Sequence, residues 1–192
     1  MAESRPTEVA LLAAQFDVAQ EFFWPRMAGL TTAEYLWEPG PGAWSLRPRG
    51  AQRTTRSFGR GDWVFEYEPR DPQPAPLRTI GWLMWHLTEG CAHRADWTIG
   101  SHSGRPDDLP VPPDADAGLA ALRAAFDAWR AVFEELPPEE YAQVGRSQYP
   151  GGLDPGLPLR DILYWQNREI IHHCAEMMFL RDLYANTVRG MA

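Results

Sequence analysis

Four long segments of this chain place apolar residues at every third or fourth position, which is the spacing of one helical face. They span residues 7–29, 79–99, 114–136 and 159–188. The third segment shows the pattern most clearly, through Leu119, Leu122, Phe126, Trp129, Phe133 and Leu136. Because each helix has to bury its apolar face against other helices, the pattern predicts an all-α four-helix bundle.

Short sequence signals indicate where these helices begin and end. Thr7 follows Pro6 and is a candidate N-cap, and Pro158 stands at the entry of the fourth helix. Pro25 removes a backbone donor from the first helix, so we expect a kink near the end of that helix. A short helical turn over residues 31–36 is expected to follow it.

The connection between the first two long helices is unusually long. Residues 38–75 are rich in glycine and proline, and only residues 63–67 alternate well enough to indicate a short strand. Connections of this length are uncommon unless they serve a function or cover a site. We therefore expect a single domain over residues 1–192, a four-helix bundle with a long covering loop between helices 1 and 2.

The charge balance argues against several classes of partner. Lysine and arginine number 18 and aspartate and glutamate 26, which gives a net charge of −8 and a pI near 5.1. An acidic chain without a basic cluster is a poor ligand for nucleic acid or for an anionic membrane, so neither partner is expected. No apolar run reaches the roughly 18 residues that indicate a membrane-spanning helix.

The cysteine and tryptophan content indicates the cellular compartment and the packing of the core. Cys91 and Cys174 are too few for a disulfide framework, and residues 1–16 lack the pattern of a signal peptide. We expect a cytoplasmic protein in which both cysteines are small buried side chains. The nine tryptophans favour core and loop packing, or a pocket for flat, apolar ligands.

Ionisable residues interrupt the apolar faces of two helices. The second helix places on one face Leu83, His86, Gly90, His93 and Trp97. The fourth helix places on one face Ile162, Gln166, Glu169, His173, Glu176 and Leu180. Burying a lone carboxylate in a bundle interior costs several kcal/mol unless it is paired or bound to a metal ion.

A metal site would use these groups together. Glu169 and His173 are one helical turn apart, so both can approach one ion, and His86 or His93 of the second helix can supply a third ligand. Two imidazoles and one carboxylate leave positions open for water or substrate, as a catalytic metal site requires. The spacing does not decide which of the two second-helix histidines lies level with Glu169.

Simpler interpretations compete with the metal site. Glu169 and His173 can form a buried ion pair, and a histidine on an apolar face is often a hydrogen-bonded core residue. His172 lies about 100° around the helix from His173, which favours a supporting or interface role. With Glu176, it is a possible base if a metal-bound water hydrolyses the substrate.

Two helical motifs of this chain resemble a known family. The segments TIGWLMWHLTEGCAHRADW and NREIIHHCAEMMFLRDLY are similar to the signature helices of the DinB-like superfamily. The loop phrase YLWEPGPGAWSLRPRG is typical of the branch that includes mycothiol-dependent maleylpyruvate isomerase, whose metal-binding domain the chain resembles. The resemblance implies a four-helix bundle with a divalent metal ion, most often zinc or nickel, with iron a further possibility.

The resemblance also implies a ligand set. The second-helix ligand of the family falls on His86, and the two fourth-helix ligands fall on Glu169 and His173. Many members have three histidines, so Glu169 departs from that pattern and agrees with the isomerase-type one. The resemblance thus favours His86 over His93.

The family's chemistry implies an activity. Characterised relatives use a low-molecular-weight thiol, here mycothiol or a similar one, which the metal ion activates to attack a small electrophile. A thiol S-transferase or isomerase-type detoxification enzyme is therefore expected. A metal-dependent hydrolase, an iron oxygenase and a non-enzymatic stress-response or binding module are the alternatives.

Two further expectations concern the loop and the assembly. Trp44 and Arg47 are expected to close over the site, with the Arg47 guanidinium binding a substrate carboxylate. Trp82 and Trp85 do not lie on the helical face that carries His86, so they are expected to face a neighbouring helix or a partner subunit. A homodimer is expected on that basis.

Overall fold

The computed structural model describes residues 6–70 and 72–188. In these residues the α-helices are α1 (Thr7–Met27), α2 (Thr32–Tyr35), α3 (Ile80–Ile99), α4 (Ala115–Val132) and α5 (Leu159–Thr187). Three strands precede α3: β1 (Leu46–Pro48), β2 (Arg56–Phe58) and β3 (Trp63–Tyr67). The chain is mostly helical, as expected, and the small sheet is an addition to the expected all-α fold. The first five residues, which carry part of the signal-peptide expectation, lie outside the described range.

Side-chain caps explain where several helices begin. The Thr79 hydroxyl accepts a hydrogen bond from the Trp82 amide at 3.2 Å at the start of α3. Asp114 caps α4 in the same way, since its carboxylate accepts the Ala117 amide at 2.9 Å. The expectation for α1 was wrong by one residue, because Pro6 occupies the N-cap and no side chain caps the helix.

The four long helices contact one another side by side. Helix α1 packs against α5, α5 against α3, and α3 against α4. Phe16 of α1 meets α4 through Phe126, with ring centroids 5.5 Å apart. The predicted stripe of α4 lies in the core, since Leu122, Phe126 and Trp129 have no exposed surface. This core holds α3 and α5 next to each other, which is the arrangement that the site requires.

Most of the connection between α2 and α3 is organised by the sheet. The strand order is β1-β3-β2, both pairs are antiparallel, and β3 coincides with the expected strand. Its Glu66 is completely buried. The carboxylate of Glu66 accepts the Ser45 amide at 2.9 Å and the Arg53 amide at 2.6 Å, and pairs with Arg47 Nε at 3.1 Å. These partners compensate the buried charge, so the segment is folded.

The sheet packs against helix α3 through two tryptophans, Trp82 and Trp85. The Phe65 ring lies 4.6 Å from the Trp82 ring and 4.5 Å from the Trp85 ring. Trp82 Nε1 donates to the Glu66 carbonyl oxygen at 2.8 Å. Both tryptophans therefore face the sheet of their own chain, where a neighbouring helix or a partner subunit had been expected. Trp82 is four residues before His86, so one turn of helix places the two side chains together.

Two expectations from the sequence, on the cysteines and on membrane-spanning helices, can be compared with the structure. Cys91 and Cys174 are free thiols buried in the core. Among the described residues, none of the helices has the length and hydropathy that crossing a membrane requires.

Candidate metal centre

Three predicted side chains meet between α3 and α5. Glu169 Oε2 lies 3.6 Å from His86 Nε2 and 3.2 Å from His173 Nε2. One ligand atom from each residue lies within 4.8 Å of the other two. Tetrahedral zinc with bonds of about 2.0–2.1 Å separates its ligand atoms by about 3.3 Å, so this spacing fits a metal ion. We call these three residues the His–Glu–His cluster.

Helix geometry and a neighbouring contact position the cluster. Glu169 and His173 are four residues apart on α5, so they project from one face. One turn before Glu169, Gln166 Oε1 accepts from Arg94 Nη1 at 3.0 Å, and Gln166 Nε2 donates to Cys91 Sγ at 3.3 Å. These bonds fix the axial level of α3 against α5, and that level brings His86 opposite Glu169.

The cluster is buried on one side and open on the other. The side chains of Glu169 and His173 are 14% and 10% exposed, whereas that of His86 is 37% exposed. A ligand can therefore approach from the His86 side. This asymmetry is what a catalytic metal site needs, because an open coordination position has to reach substrate.

Electrostatics favour an ionised carboxylate between the imidazoles. Hydrogen bonds from His173 and then His86 lower the pKa of Glu169 well below its ordinary value. Burial would lower the pKa of His173, but hydrogen bonds to Glu169 and Glu176 raise it instead. A metal ion that binds His173 therefore competes with a proton for the imidazole.

Glu176 orients His173 within the cluster. Its Oε2 lies 3.0 Å from His173 Nδ1, while His173 Nε2 faces Glu169. Burial raises the pKa of Glu176, but the hydrogen bond with His173 outweighs it and the pKa is lowered. An ionised Glu176 holds the proton of His173 on Nδ1, which leaves the Nε2 lone pair for a metal ion.

The other histidines of the two helices lie outside the cluster. His172 is exposed and stacks on His173 with ring centroids 5.0 Å apart. His93 is buried, and its Nδ1 lies 2.8 Å from Glu89 Oε1. The same Glu89 oxygen accepts the Tyr149 hydroxyl at 2.8 Å. The structure thus places His93 in a separate network, about two turns after His86 along α3.

A cavity of about 350 Å³ adjoins the cluster at His86. Its walls include the aromatic residues Trp44, Phe58, Phe65, Trp82, Trp85 and Tyr149. The Trp82 ring stacks on the His86 ring with centroids 5.4 Å apart. We call this space the aromatic cavity. A larger groove of about 490 Å³ lies between α1 and α5 and contains none of the cluster residues.

Two charged residues of the aromatic cavity were missed in the sequence. Glu89 lines it and lies three residues after His86, a spacing that could have indicated it. The arginine in its wall is Arg78, directly before the cap of α3. The structure places Arg47 instead in ion pairs with Glu38 at 2.8 Å and with buried Glu66.

The geometry can be compared with known families. The family model of the DinB superfamily matches residues 15–177, which is more than half of the chain and includes the whole cluster. The chain belongs to the DinB superfamily. No curated protein and no solved structure matches it. As a DinB superfamily protein it has a helical fold and a His–Glu–His cluster that can hold a metal ion.

Proposed function

We propose that this DinB superfamily protein binds a divalent metal ion and catalyses transfer of a low-molecular-weight thiol to an electrophile. The observation that carries the proposal is the convergence of three ligand atoms in the His–Glu–His cluster, whose His86 lines the aromatic cavity. Zinc is the first choice of metal, with nickel and iron as further candidates. Mycothiol is the first choice of thiol, and the branch proposed is the one that includes mycothiol-dependent maleylpyruvate isomerase.

The donor set suits zinc on chemical grounds. Zinc accepts imidazole nitrogen and carboxylate oxygen, and three protein ligands leave a position for a substrate. Glu176 on His173 is the outer partner that metal-binding histidines usually have. Because the four long helices contact one another in a closed circuit, the proposal includes the four-helix-bundle architecture.

The proposed chemistry needs an activated thiol. A metal ion at the cluster would favour the thiolate form of a bound thiol, which is the nucleophilic form. The aromatic cavity would hold the electrophile beside His86 and limit its contact with water. In this scheme the protein binds the thiol and the electrophile, and one of its residues accepts the proton that the thiol loses.

Glu89 is the residue we propose as acceptor of the thiol proton. Burial would raise the pKa of Glu89, but hydrogen bonds and charge from His93, with the hydrogen bond from Tyr149, lower it. The carboxylate is therefore ionised at neutral pH. Both hydrogen bonds go to Oε1, so Oε2 is the oxygen we assign to the proton.

Metal analysis of purified, tag-free protein tests the site. We expect about one equivalent of zinc or nickel in the wild type and almost none in His86→Ala and Glu169→Ala, because each loses a ligand. His172→Ala is the matched control, since it removes an adjacent exposed imidazole and should retain the metal. A wild type that takes up no divalent metal in a direct titration contradicts the proposal.

A thiol-consumption assay then tests the reaction. Metal-loaded wild type with mycothiol should consume a panel of electrophiles faster than buffer does, and a chelator or His86→Ala should remove that activity. Consumption at the buffer rate across several thiols and electrophiles counts against a transferase. Turnover that requires no thiol would assign the metal ion to hydrolysis.

A further inference from the structure

Arg78 places a guanidinium in the wall of the aromatic cavity, where no carboxylate of the described residues lies within ion-pair distance of it and the charge of Glu176 acts on it from further away. Its Nε is buried and has no hydrogen-bond partner, and no ion pair within the described residues includes its guanidinium. Two arginines that do not line the cavity are paired with carboxylates: Arg94 lies 3.3 Å from Asp154, and Arg47 pairs with Glu38 and Glu66. A buried donor without an acceptor is unfavourable, so a ligand that supplies one is favoured.

The backbone of Arg78 is held in place. Trp44 donates its amide to the Leu77 carbonyl at 2.9 Å and accepts the Thr79 amide at 3.0 Å, which fixes the residue between them. The Arg78 Cζ atom lies 4.8 Å from the centroid of the Trp82 ring. A cation held over an aromatic face is partly stabilised there, yet it keeps its N–H donors for an anion.

The same tryptophan connects Arg78 with the metal centre. Trp82 contacts the Arg78 guanidinium and stacks on the His86 imidazole. A ligand whose anionic group binds Arg78 therefore lies beside the cluster. The cavity volume of about 350 Å³ and its aromatic walls suit a small, flat molecule.

We propose that the aromatic cavity takes a flat, conjugated or aromatic carboxylate, and that Arg78 binds its carboxylate. The inference rests on the proposed function and names the chemical class of its electrophile. A guanidinium binds a carboxylate with two parallel charge-assisted hydrogen bonds, which orient the ligand as well as hold it. Arg78 is thus assigned the role of a specificity-determining residue.

Calorimetric binding of two probes tests this assignment. The probes are 2-naphthoate and its neutral analogue 2-naphthamide, titrated into metal-loaded protein without thiol. We expect naphthoate to bind at least about tenfold more tightly than naphthamide, since charge-assisted hydrogen bonds are worth at least that factor. Arg78→Gln should remove the preference, and Arg78→Lys should retain part of it.

Controls separate the proposed contact from other effects. Arg160→Gln removes one exposed positive charge from the first turn of α5 and should retain the wild-type preference. Circular dichroism and the thermal midpoint should show that Arg78→Gln is folded. Arg78→Lys keeps the positive charge, so its preference for naphthoate over naphthamide tests the same contact a second time.

Three outcomes would overturn the inference. They are no binding of naphthoate at millimolar concentration, equal affinity for the two probes, and binding that Arg78→Gln leaves unchanged while a chelator abolishes it. The last outcome would place the carboxylate on the metal ion. Because no thiol is present, Arg78-dependent binding by a protein inactive with every thiol would leave this inference standing and the proposed function rejected.

Discussion

His173 depends on a residue outside the cluster for its orientation. Glu176 lies one turn further along α5, and its carboxylate meets His173 Nδ1 at 3.0 Å. Without that partner the imidazole can rotate, and its proton can move to Nε2, where it blocks a metal ion. The supporting carboxylate therefore belongs to the metal centre even though it supplies no ligand atom.

Replacing Glu176 should weaken metal binding without abolishing it. We expect Glu176→Gln to raise the dissociation constant of zinc about tenfold, and Glu176→Ala up to about 100-fold, because glutamine still offers an oxygen to Nδ1. A competition titration with a chromogenic chelator measures both values. Glu21→Gln, on an exposed face of α1, is the matched control and should leave affinity unchanged. Wild-type affinity in Glu176→Ala would rule out the orienting role.

The end of α3 shows how a helix and its following loop support the cavity. Asp96 Oδ1 accepts the Ser101 amide and hydroxyl at 2.8 and 2.7 Å, and Oδ2 accepts the amides of Ser103 and Gly104 at 3.0 and 2.9 Å. Gly104 lies against His93, so close that a Cβ atom would stand 2.8 Å from the imidazole. The loop thus holds the histidine that binds Glu89.

Stability should depend on the ionisation of Asp96. Burial raises its pKa, but the hydrogen bonds from Gly104, Ser101 and Ser103 together outweigh it and lower the pKa from 3.8 to about 2. Because the folded-state pKa is depressed, the stabilisation is complete above pH 3.8 and is lost as the pH falls towards 2.

Thermal unfolding of Asp96→Asn against pH checks this dependence. At neutral pH we expect a loss of about 1–2 kcal/mol, within the usual range for a hydrogen-bonding residue. The difference from wild type should shrink between about pH 4 and pH 2, where wild-type Asp96 is itself protonated. Asp62→Asn, an exposed aspartate between β2 and β3, is the control and should show no such change. A pH-independent difference would refute the assignment.

At the scale of the whole molecule, the cluster connects two separate parts of the chain. His86 comes from α3, and Glu169 and His173 come from α5. A metal ion bound to all three would bind the native state and not the unfolded chain, where these residues are far apart. Metal binding therefore adds to folding stability.

Zinc should raise the thermal midpoint of the wild type. At a free concentration 100 times the dissociation constant, the added stability is about 2.7 kcal/mol, or about 5–10 °C for a chain of this size. Scanning fluorimetry with and without a chelator measures the shift. Glu169→Ala should show almost no shift, and His172→Ala the full one. A wild-type midpoint that zinc and chelator both leave unchanged would argue that the cluster is a buried ion pair.

The expected homodimer stays a prediction, but the two tryptophans on which it was based do not support it. Trp82 and Trp85 pack on Phe65 of their own chain, so they offer no surface to a partner. The mass of the protein in solution, measured by light scattering, decides between one chain and two.

Local sequence pattern determined the helices and two of the three residues of the His–Glu–His cluster. Helical periodicity, with proline and capping residues, placed the ends of the long helices within a few residues. Glu169 and His173 share a face because their spacing on one helix is a local property. The alternating residues of β3 were also readable, because a strand's own pattern is local, whereas its pairing with β1 and β2 joins residues distant in sequence.

Tertiary structure decided what periodicity leaves open. His86 and His93 share a face of α3, and only the axial level of α3 against α5 places His86 opposite Glu169. The buried Glu66 likewise decides which loop arginine lines the cavity. It binds Arg47, and Arg78 is the arginine that lies in the cavity wall. Spacing along one helix follows from backbone geometry, but the relative position of two helices and the fate of a loop side chain follow from packing between distant segments.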